Sequence, residues 1–487
     1  MSGAAQVLVV GAGPTGLTLA CDLLRRGVGV LLVERAAALF PGSRGKGLQP
    51  RTQEVFDDLG VMAALTAAGG PFPPMVAWED GVRGEEWELL GEAAGAPESA
   101  YPRAWMVPQW RTQAVLGDRL RELGGEVAFG TELVGLCEPD GDTAPLTARL
   151  RGPDGRTRTV TARYVVGADG GHSTVRRLAG VEMTGAPVDA TTTLIADLEV
   201  PRLDRANWHV WPKAPGGSLL LCPLPGTREF QLSAHFREGA PQAGDEAVRR
   251  LVAERTHLPA DAVTRVRCAS HYRPRVALAE RYRVGRVLLA GDAAHIHPPG
   301  GGQGLNTGVQ DAYNLGWKLG QVLRHGAPED LLDSYEEERM PVAAEVLDLS
   351  TRLYRAGRVP QTGNEDEAGR RRRTVHQLSL HYRGRRLSVD ARAERGPGLR
   401  AGDRAADGAC GTGRLHELLR GPQFTLLTVG GAPGRVPPGV AAHEVTSAAL
   451  RETYGEGLFL VRPDGYVGLA TDDHADVLGY LAGMGVA

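Results

Sequence analysis

Lysine is nearly missing from this chain. It occurs only at Lys46, Lys213 and Lys318, and arginine supplies the rest of the 55 basic residues, which stand against 58 acidic ones. The resulting net charge of −3 gives no electrostatic case for nucleic acid or an anionic membrane as a partner. Cysteine is scarce and scattered: Cys21, Cys137, Cys222, Cys268 and Cys410 contain no CxxC pair, which excludes a disulfide framework, a zinc knuckle and a dithiol redox centre. Long apolar runs are absent too. The first one ends at Gly11, far short of a signal h-region or a membrane span, so the protein is expected to be cytoplasmic, as a monomer or homodimer. No GxSxG elbow is present, so hydrolase chemistry of that type has no nucleophile. The run Arg370–Arg373 reads as solvated charge on a linker.

What the chain does have is glycine, 66 residues of it in 487, gathered at turns that follow apolar runs. Gln6–Val10 reads as a strand, Gly11-Ala-Gly13-Pro-Thr15-Gly16 as a tight turn, and Leu17–Leu24 as a helix. A second strand, Val28–Val33, ends at Glu34 and Arg35. This is the GxGxxG dinucleotide fingerprint in its full context, with Glu34 placed to bind ribose hydroxyls. A glycine-rich loop with Arg44 follows and leads to a helix at Thr52–Leu59. An arginine there can pair with phosphate or cover one face of a flat ring.

A second constellation spans Arg286–Leu323. Val287–Ala290 reads as a buried strand, with Asp292 just past its end. His295–Gly304 is a loop stiffened by Pro298 and Pro299 and opened by glycines. Leu305, Val309, Ala312, Tyr313, Gly316, Leu319 and Leu323 then recur at helical spacing, so a helix begins near Leu305. Strand, acid, glycine loop and helix N-terminus suit a cofactor with hydroxyls at one end and developing negative charge at the other, which is the character of flavin. Asp292 would accept from the hydroxyl-bearing part, and the N–H groups near Leu305 and Asn306 would face the edge that becomes anionic. His295, His297 and Asp292 lack the spacing of known zinc sites, so no metal is expected.

Between these constellations lie Tyr164–Arg177, where an apolar run delivers Asp169 to a glycine turn, and a stretch of alternation from Gly185 to Arg275. In Glu229–Phe236, Phe230, Leu232, Ala234 and Phe236 share one face and Gln231, Ser233 and His235 the other. Val127–Cys137 and Leu146–Val160 read as a hairpin with Asp154-Gly155 as its turn. Pro71–Tyr101 reads as a β-rich excursion, and Asn364–Arg373 as a linker. Beyond Gly398, short apolar runs at Phe424–Val429, Ala441–Val445 and Leu458–Val461 describe a further α/β unit.

The stretch GDAAHIHPPGGGQGLNTGVQDAYNLGWKL resembles the flavin motif of the class A FAD-dependent aromatic monooxygenases. Within them the chain is most similar to the aromatic polyketide hydroxylases, with the rifampicin monooxygenases and phenylpropionate hydroxylases nearby. The resemblance implies an α/β fold with a Rossmann-like FAD-binding domain of the glutathione-reductase type, discontinuous over 1–75, 102–185 and 276–397. It implies an inserted antiparallel substrate sheet at 76–101 and 186–275, and a thioredoxin-like domain at 398–487. It carries over cofactor contacts at Arg44, Gln109, Leu133 and Asp169 beside Gly11, Gly13, Thr15, Gly16, Glu34, Arg35, Asp292, Pro298, Gly302, Leu305 and Asn306. Pro298 and Gly302 would shape the reaction chamber, and Trp78, Leu220 and His235 would meet the substrate.

The implied cofactor is FAD, with NADPH or NADH and O2 as co-substrates. A single GxGxxG leaves no fixed second dinucleotide site, so the nicotinamide would bind transiently. The implied activity is hydroxylation of a polycyclic aromatic molecule through a flavin C4a-hydroperoxide. Baeyer–Villiger or antibiotic-inactivating oxygenation would use the same motifs, and a flavin-binding protein without turnover is the reading from another class.

Overall fold

The strand Ala5–Val10 lies inside the largest sheet of the computed structural model, which describes residues 5–88, 99–137, 144–188, 190–356, 373–394, 398–432 and 434–486. The sheet runs Arg283–Val284, Val287–Leu289, Thr157–Gly167, Ala5–Val10, Val30–Glu34 and Val127–Phe129. Val10 pairs in parallel with both Gly167 and Val33, and Gly167 with Leu289. Four strands therefore end level. They bring Gly11, Glu34, Asp169 and Asp292 to one edge, where ligands collect in open parallel sheets. Their converging ends, Val7–Val10, Leu32–Val33, Tyr164–Val166 and Val287–Leu289, are apolar and buried because both faces of the sheet are covered there.

The helices Pro14–Arg25 and Gln303–Arg324 cross closely on this sheet. A Cβ at Gly316 would lie 2.1 Å from Asp22 Oδ2, so glycine is required where the Asp22 carboxylate passes. That carboxylate is fully buried and accepts from Arg25 at 2.8 Å and Arg26 at 3.0 Å.

The expected hairpin is drawn differently. Asp154-Gly155 turns Leu146–Arg151 into Thr157–Gly167, and Glu132–Cys137 pairs separately with Leu146–Arg151. The turn chemistry was read correctly, but it divides the second run instead of joining the two. Of the excursion, Met75–Glu79 and Val82–Trp87 are strands, while 89–98 and the linker at 364–372 lie outside the described residues.

The second sheet has the order Arg265–Tyr272, Thr192–Glu199, Glu229–Phe236, Leu219–Pro223, Trp208–Trp211, Met75–Glu79, Val82–Trp87. One face buries Leu194, Leu198, Phe230, Leu232 and Trp211 against the helix Asp245–Arg255. The other face turns to the first sheet's layer. There Cys222 Sγ lies 3.7 Å from Met106 Sδ, the Lys46 ammonium donates to Gln231 Oε1, and the Tyr272 hydroxyl donates to the His297 carbonyl at 2.9 Å. Alternation thus gives the sheet one apolar and one mostly polar side.

The C-terminal sheet is ordered Val389–Asp390, Val467–Thr471, Gly457–Val461, Thr425–Val429, Ala441–Val445. It is not an independent core. Phe424, Leu426, Leu460 and Leu469 belong to the same apolar cluster as Val7–Val10, and Phe424 meets Trp317 edge-on with ring centres 5.8 Å apart. A buried ion cluster crosses the same seam. Glu338, on the helix Asp333–Ala356, accepts from Arg462 at 2.6 and 3.0 Å, from Lys318 at 2.7 Å and from Asn314 at 2.8 Å. Arg462 also holds Asp464, at 2.6 Å. Two acids face two bases, so the cluster is balanced. Burial opposes ionisation of Glu338, but Arg462 and Lys318 outweigh it and hold its carboxyl down to about 2. Burial, with Arg462 repelling, draws the Lys318 ammonium down to about 8.

Candidate functional site

The glycine turn after the first strand is packed tightly on one side and open on the other. Gly11 has φ +104°, and a Cβ at Gly16 would lie 1.9 Å from the Gly11 carbonyl oxygen. At Gly13, by contrast, a Cβ would meet no atom within 4 Å. Gly13 precedes the helix Pro14–Arg25, whose first-turn amides after Pro14 receive no side-chain cap and are left for a ligand. Glu34 sits beside it, taking the Ala12 and Ala36 amides at 2.9 Å each; a carboxylate with two such bonds keeps further lone pairs for ribose hydroxyls. Arg35 is exposed next to it.

Asp292 follows the fourth level strand. Its side chain is open to solvent, yet the surrounding protein is dense enough that desolvation raises its carboxyl above the usual range, with His295 and Arg44 pulling the other way. Arg44 is exposed over the Phe40 ring at 5.3 Å. The helix expected from Leu305 begins at Gln303, because Gly302 closes the loop in the left-handed region at φ +64°, with open space where its Cβ would be. Pro298 is buried and Leu305 partly buried, its methyl 3.0 Å from the Cβ position of Gly45.

Several residues expected to touch the cofactor spend their side chains on the protein instead. Asn306 takes the Gln49 amide at 2.8 Å and donates to the Gly47 and Gly302 carbonyls at 2.9 and 2.7 Å, which leaves only its main chain for a ligand. Gln109 accepts from the Gly45 amide at 2.8 Å and donates to Gln113, so it braces the Arg44 loop. Asp169 accepts from Ser173 Oγ at 2.5 Å and from the Thr174 amide at 2.7 Å, which holds the turn into a short helix. Leu133 is only 2% exposed, in the apolar core, and any ligand contact falls to its backbone. Trp78 is a correction. It donates to His209 Nδ1 at 2.9 Å and stacks on Trp211, on the sheet face that packs against the helix Asp245–Arg255, away from the flavin layer. Leu220 and His235 pair in register with residues of the opposite face, and His235 bonds Thr193 at 3.1 Å.

Behind Asp292 runs a buried chain of charge. Arg339 donates to Asp311 at 2.8 Å, Asp311 meets His295 Nε2 at 2.5 Å, and His295 Nδ1 meets His297 Nε2 at 2.9 Å. Asp311 also accepts from the Gly291 amide at 3.1 Å, which fixes the residue before Asp292. Burial disfavours the Asp311 carboxylate, but His295 and Arg339 hold it well below the usual range. Burial and the neighbouring His295 push His297 well down, so it is neutral. The two histidines are thus bound to each other and to an acid.

Asp197 was not singled out from sequence. It is 1% exposed on the polar face of the second sheet, with the Ser43 hydroxyl beside its carboxylate. Burial pushes its carboxyl up to about 6, with Glu229 adding to this and Ser43, Lys46 and Arg267 opposing. Because the unfolded carboxyl titrates near 3.8, the charged form costs stability above pH 6, and that cost fades as pH falls toward 4. Asp197→Asn is therefore expected to stabilise the protein at pH 8 by on the order of 3 kcal/mol. The gain should vanish near pH 4, as measured by urea unfolding at the two pH values.

A glycine turn at a nucleotide edge, an acid on the adjacent strand, and a second acid ahead of a helix N-terminus define a flavoprotein. The chain belongs to the FAD-binding-domain family, whose model matches residues 4–350. It is 45% identical over 484 residues to a flavin-dependent monooxygenase of Mycobacteroides abscessus, covering 98% of this chain and 99% of the relative. A rifampicin monooxygenase of Streptomyces venezuelae is 35% identical over 509 residues, with 97% of each chain covered. Among solved structures, aklavinone-11 hydroxylase with FAD and aklavinone matches with a TM-score of 0.81 at 28% identity, over 99% of each chain. The chain is an FAD-dependent monooxygenase of the NAD(P)H- and O2-using type.

The residues present fit FAD. Gly13, Gly170 and Gly302 each leave open space where a side chain would stand. The helix starting at Pro14 offers amides for a pyrophosphate, Glu34 lone pairs for a ribose, and Asp292 a solvent-facing carboxylate for further hydroxyls.

Proposed function

We propose that this monooxygenase hydroxylates a polycyclic aromatic compound of the polyketide type, held between the polar face of the second sheet and the flavin. The proposed division is a discontinuous FAD-binding domain at 1–75, 102–185 and 276–397, a substrate domain at 76–101 and 186–275, and a thioredoxin-like domain from 398. The enzyme acts as a cytoplasmic monomer or homodimer. The observation that carries the reading is the sheet's two-sidedness: its polar face, with Gln231, Ser233, His235 and Asp197, lies over the layer that holds Asp292 and the Gln303 helix terminus. Relatives named for rifampicin and anhydrotetracycline, and a structural neighbour holding aklavinone, support a large fused-ring substrate.

Bound FAD supplies acceptance of hydride from NAD(P)H and activation of O2. The chain's own residues do the rest. Glu34 and Asp292 hold cofactor hydroxyls. The amides at the start of Gln303–Arg324 stabilise negative charge on the ring edge. Asn306 and Gln109 brace the Arg44 loop from two sides, and Pro298 stiffens the chamber wall, so water is excluded by elements that cannot drift. The single fingerprint leaves NAD(P)H to bind only while it reacts.

Oxidation of NADPH by the yellow protein is expected to rise at least about tenfold when a hydroxylated anthraquinone or naphthacene fills the chamber. The product should gain one oxygen. No stimulation across a panel of fused-ring phenols, with monocyclic phenols turned over instead, would overturn the polycyclic assignment. A ring-expanded lactone product would replace hydroxylation by Baeyer–Villiger insertion.

A further inference from the structure

The Arg44 loop sends one cation upward. Lys46 donates to Gln231 Oε1 and stands over the Trp208 ring, 4.7 Å from its centre, while staying partly exposed. Among the described residues no carboxylate lies within ion-pair distance of it, whereas Lys213 is paired with Glu79 and Lys318 with Glu338. Its neighbourhood is polar and incompletely satisfied. Among the described residues, Gln231 Nε2, Glu229 Oε2 and Trp208 Nε1 have no hydrogen-bond partner. The charged and titratable groups facing this space are Arg44 from the loop itself, Asp197, Glu229, Cys222, and Arg267 with Cys268. Arg267 is neutralised by Glu229 at 2.6 Å. Among the described residues, Lys46 is therefore a cation of this space with neither a carboxylate partner nor a place beside the expected phosphate and flavin contacts.

We infer that Lys46 is the substrate's anion receptor: it takes an ionised phenol oxygen of the fused ring, and Gln231 and Trp208 hold the ammonium in place for it. The inference rests on the polycyclic aromatic reading of the chamber. A compact ammonium suits one oxygen atom, where a guanidinium fork would suit two, and this chain uses arginine almost everywhere else. The chemistry gives it a purpose. A phenolate donates more electron density to its ring than a phenol does, and ring attack on an electrophilic oxygen is faster for it. An enzyme that lowers the phenol's pKa activates its substrate before oxygen arrives. The phenol's O–H bond breaks as the ring enters, while the chamber is still open: its proton passes to water and out to buffer, and Lys46 stays an ammonium throughout.

The test uses FAD-loaded protein and quinizarin, a dihydroxyanthraquinone that is orange when neutral and violet when ionised, with plain anthraquinone as the ring without a phenol. Bound to wild type, quinizarin should turn violet about one to three pH units lower than in buffer, the shift expected for a charge of opposite sign within hydrogen-bond reach. Lys46→Met should abolish the shift while FAD stays bound, and Lys46→Arg should keep part of it. Acetylation of the wild type gives a second readout that needs no variant, since Lys46, Lys213 and Lys318 are the only lysines. Quinizarin should shield Lys46 severalfold and leave the exposed Lys213 reactive. An unshifted spectrum, or a shift that survives Lys46→Met, with Lys46 unshielded, would overturn the role of Lys46 and leave the aromatic chamber standing. If neither ring binds, both readings fall.

Discussion

Gly16→Ala is expected to yield protein without bound flavin. The new methyl would fall 1.9 Å from the Gly11 carbonyl oxygen, a separation no van der Waals contact permits, and the strain should cost roughly 3 kcal/mol or more. Moving either residue opens the turn on which the pyrophosphate rests. Flavin absorbance co-eluting with protein on gel filtration should be lost, and the apo form should unfold earlier than wild-type apo protein. Gly13→Ala provides the contrast. Its backbone, at φ −70° and ψ 178°, accepts any residue, and nothing of the protein lies within 4 Å of the added atom. Apo stability should fall by no more than about 1 kcal/mol, the cost of alanine at a helix cap. FAD affinity should nonetheless drop by about tenfold or more, as expected when an added group fills space meant for the ligand. If Gly13→Ala bound FAD as tightly as wild type, the cofactor would not approach that side of the turn.

Glu338→Gln is the second change expected to act strongly. It leaves Lys318 and Arg462, both buried, facing Asp464 alone. Removing one partner of a buried ion pair costs about 3–5 kcal/mol, because the remaining charge keeps its desolvation penalty. The urea midpoint of the FAD-loaded protein should fall accordingly. Adding Lys318→Met restores the balance of one acid to one base and should recover part of the loss. A single-variant loss below about 1 kcal/mol would mean that the cluster is reached by solvent.

The elements were legible where one period dominates. The strand–turn–helix around Gly11–Gly16 and the run from Val287 through Leu323 are written in apolar spacing and in glycine placement, and both folded as their patterns imply, within a few residues at the ends. Side-chain direction was not legible. Asn306, Gln109 and Asp169 stand where a cofactor contact is expected, but each satisfies backbone groups of a neighbouring segment, and no spacing rule announces that Gln49 or Gly45 will be there. Trp78 failed for a related reason. An aromatic residue on a strand reads equally well on either face, and only the pairing of Val76 with His209 sets the phase that turns it outward. Asp197 had a usable signal: Leu194, Ala196 and Leu198 fix the apolar phase of its strand and put an acid on the other side. Lys46 had one as well, as one of so few lysines in the chain.

The seam between Glu338 and Arg462 bears on how freely such enzymes can be recombined. The C-terminal unit has the look of a cassette, but it supplies two members of a four-charge set and six buried apolar side chains of a core that begins at Val7. A chimera that grafts another protein's final ninety or so residues onto this scaffold inherits Lys318 and Glu338 without their counterparts unless the donor brings an arginine and an aspartate two positions apart at the matching turn. The unit travels with its charges or it does not travel.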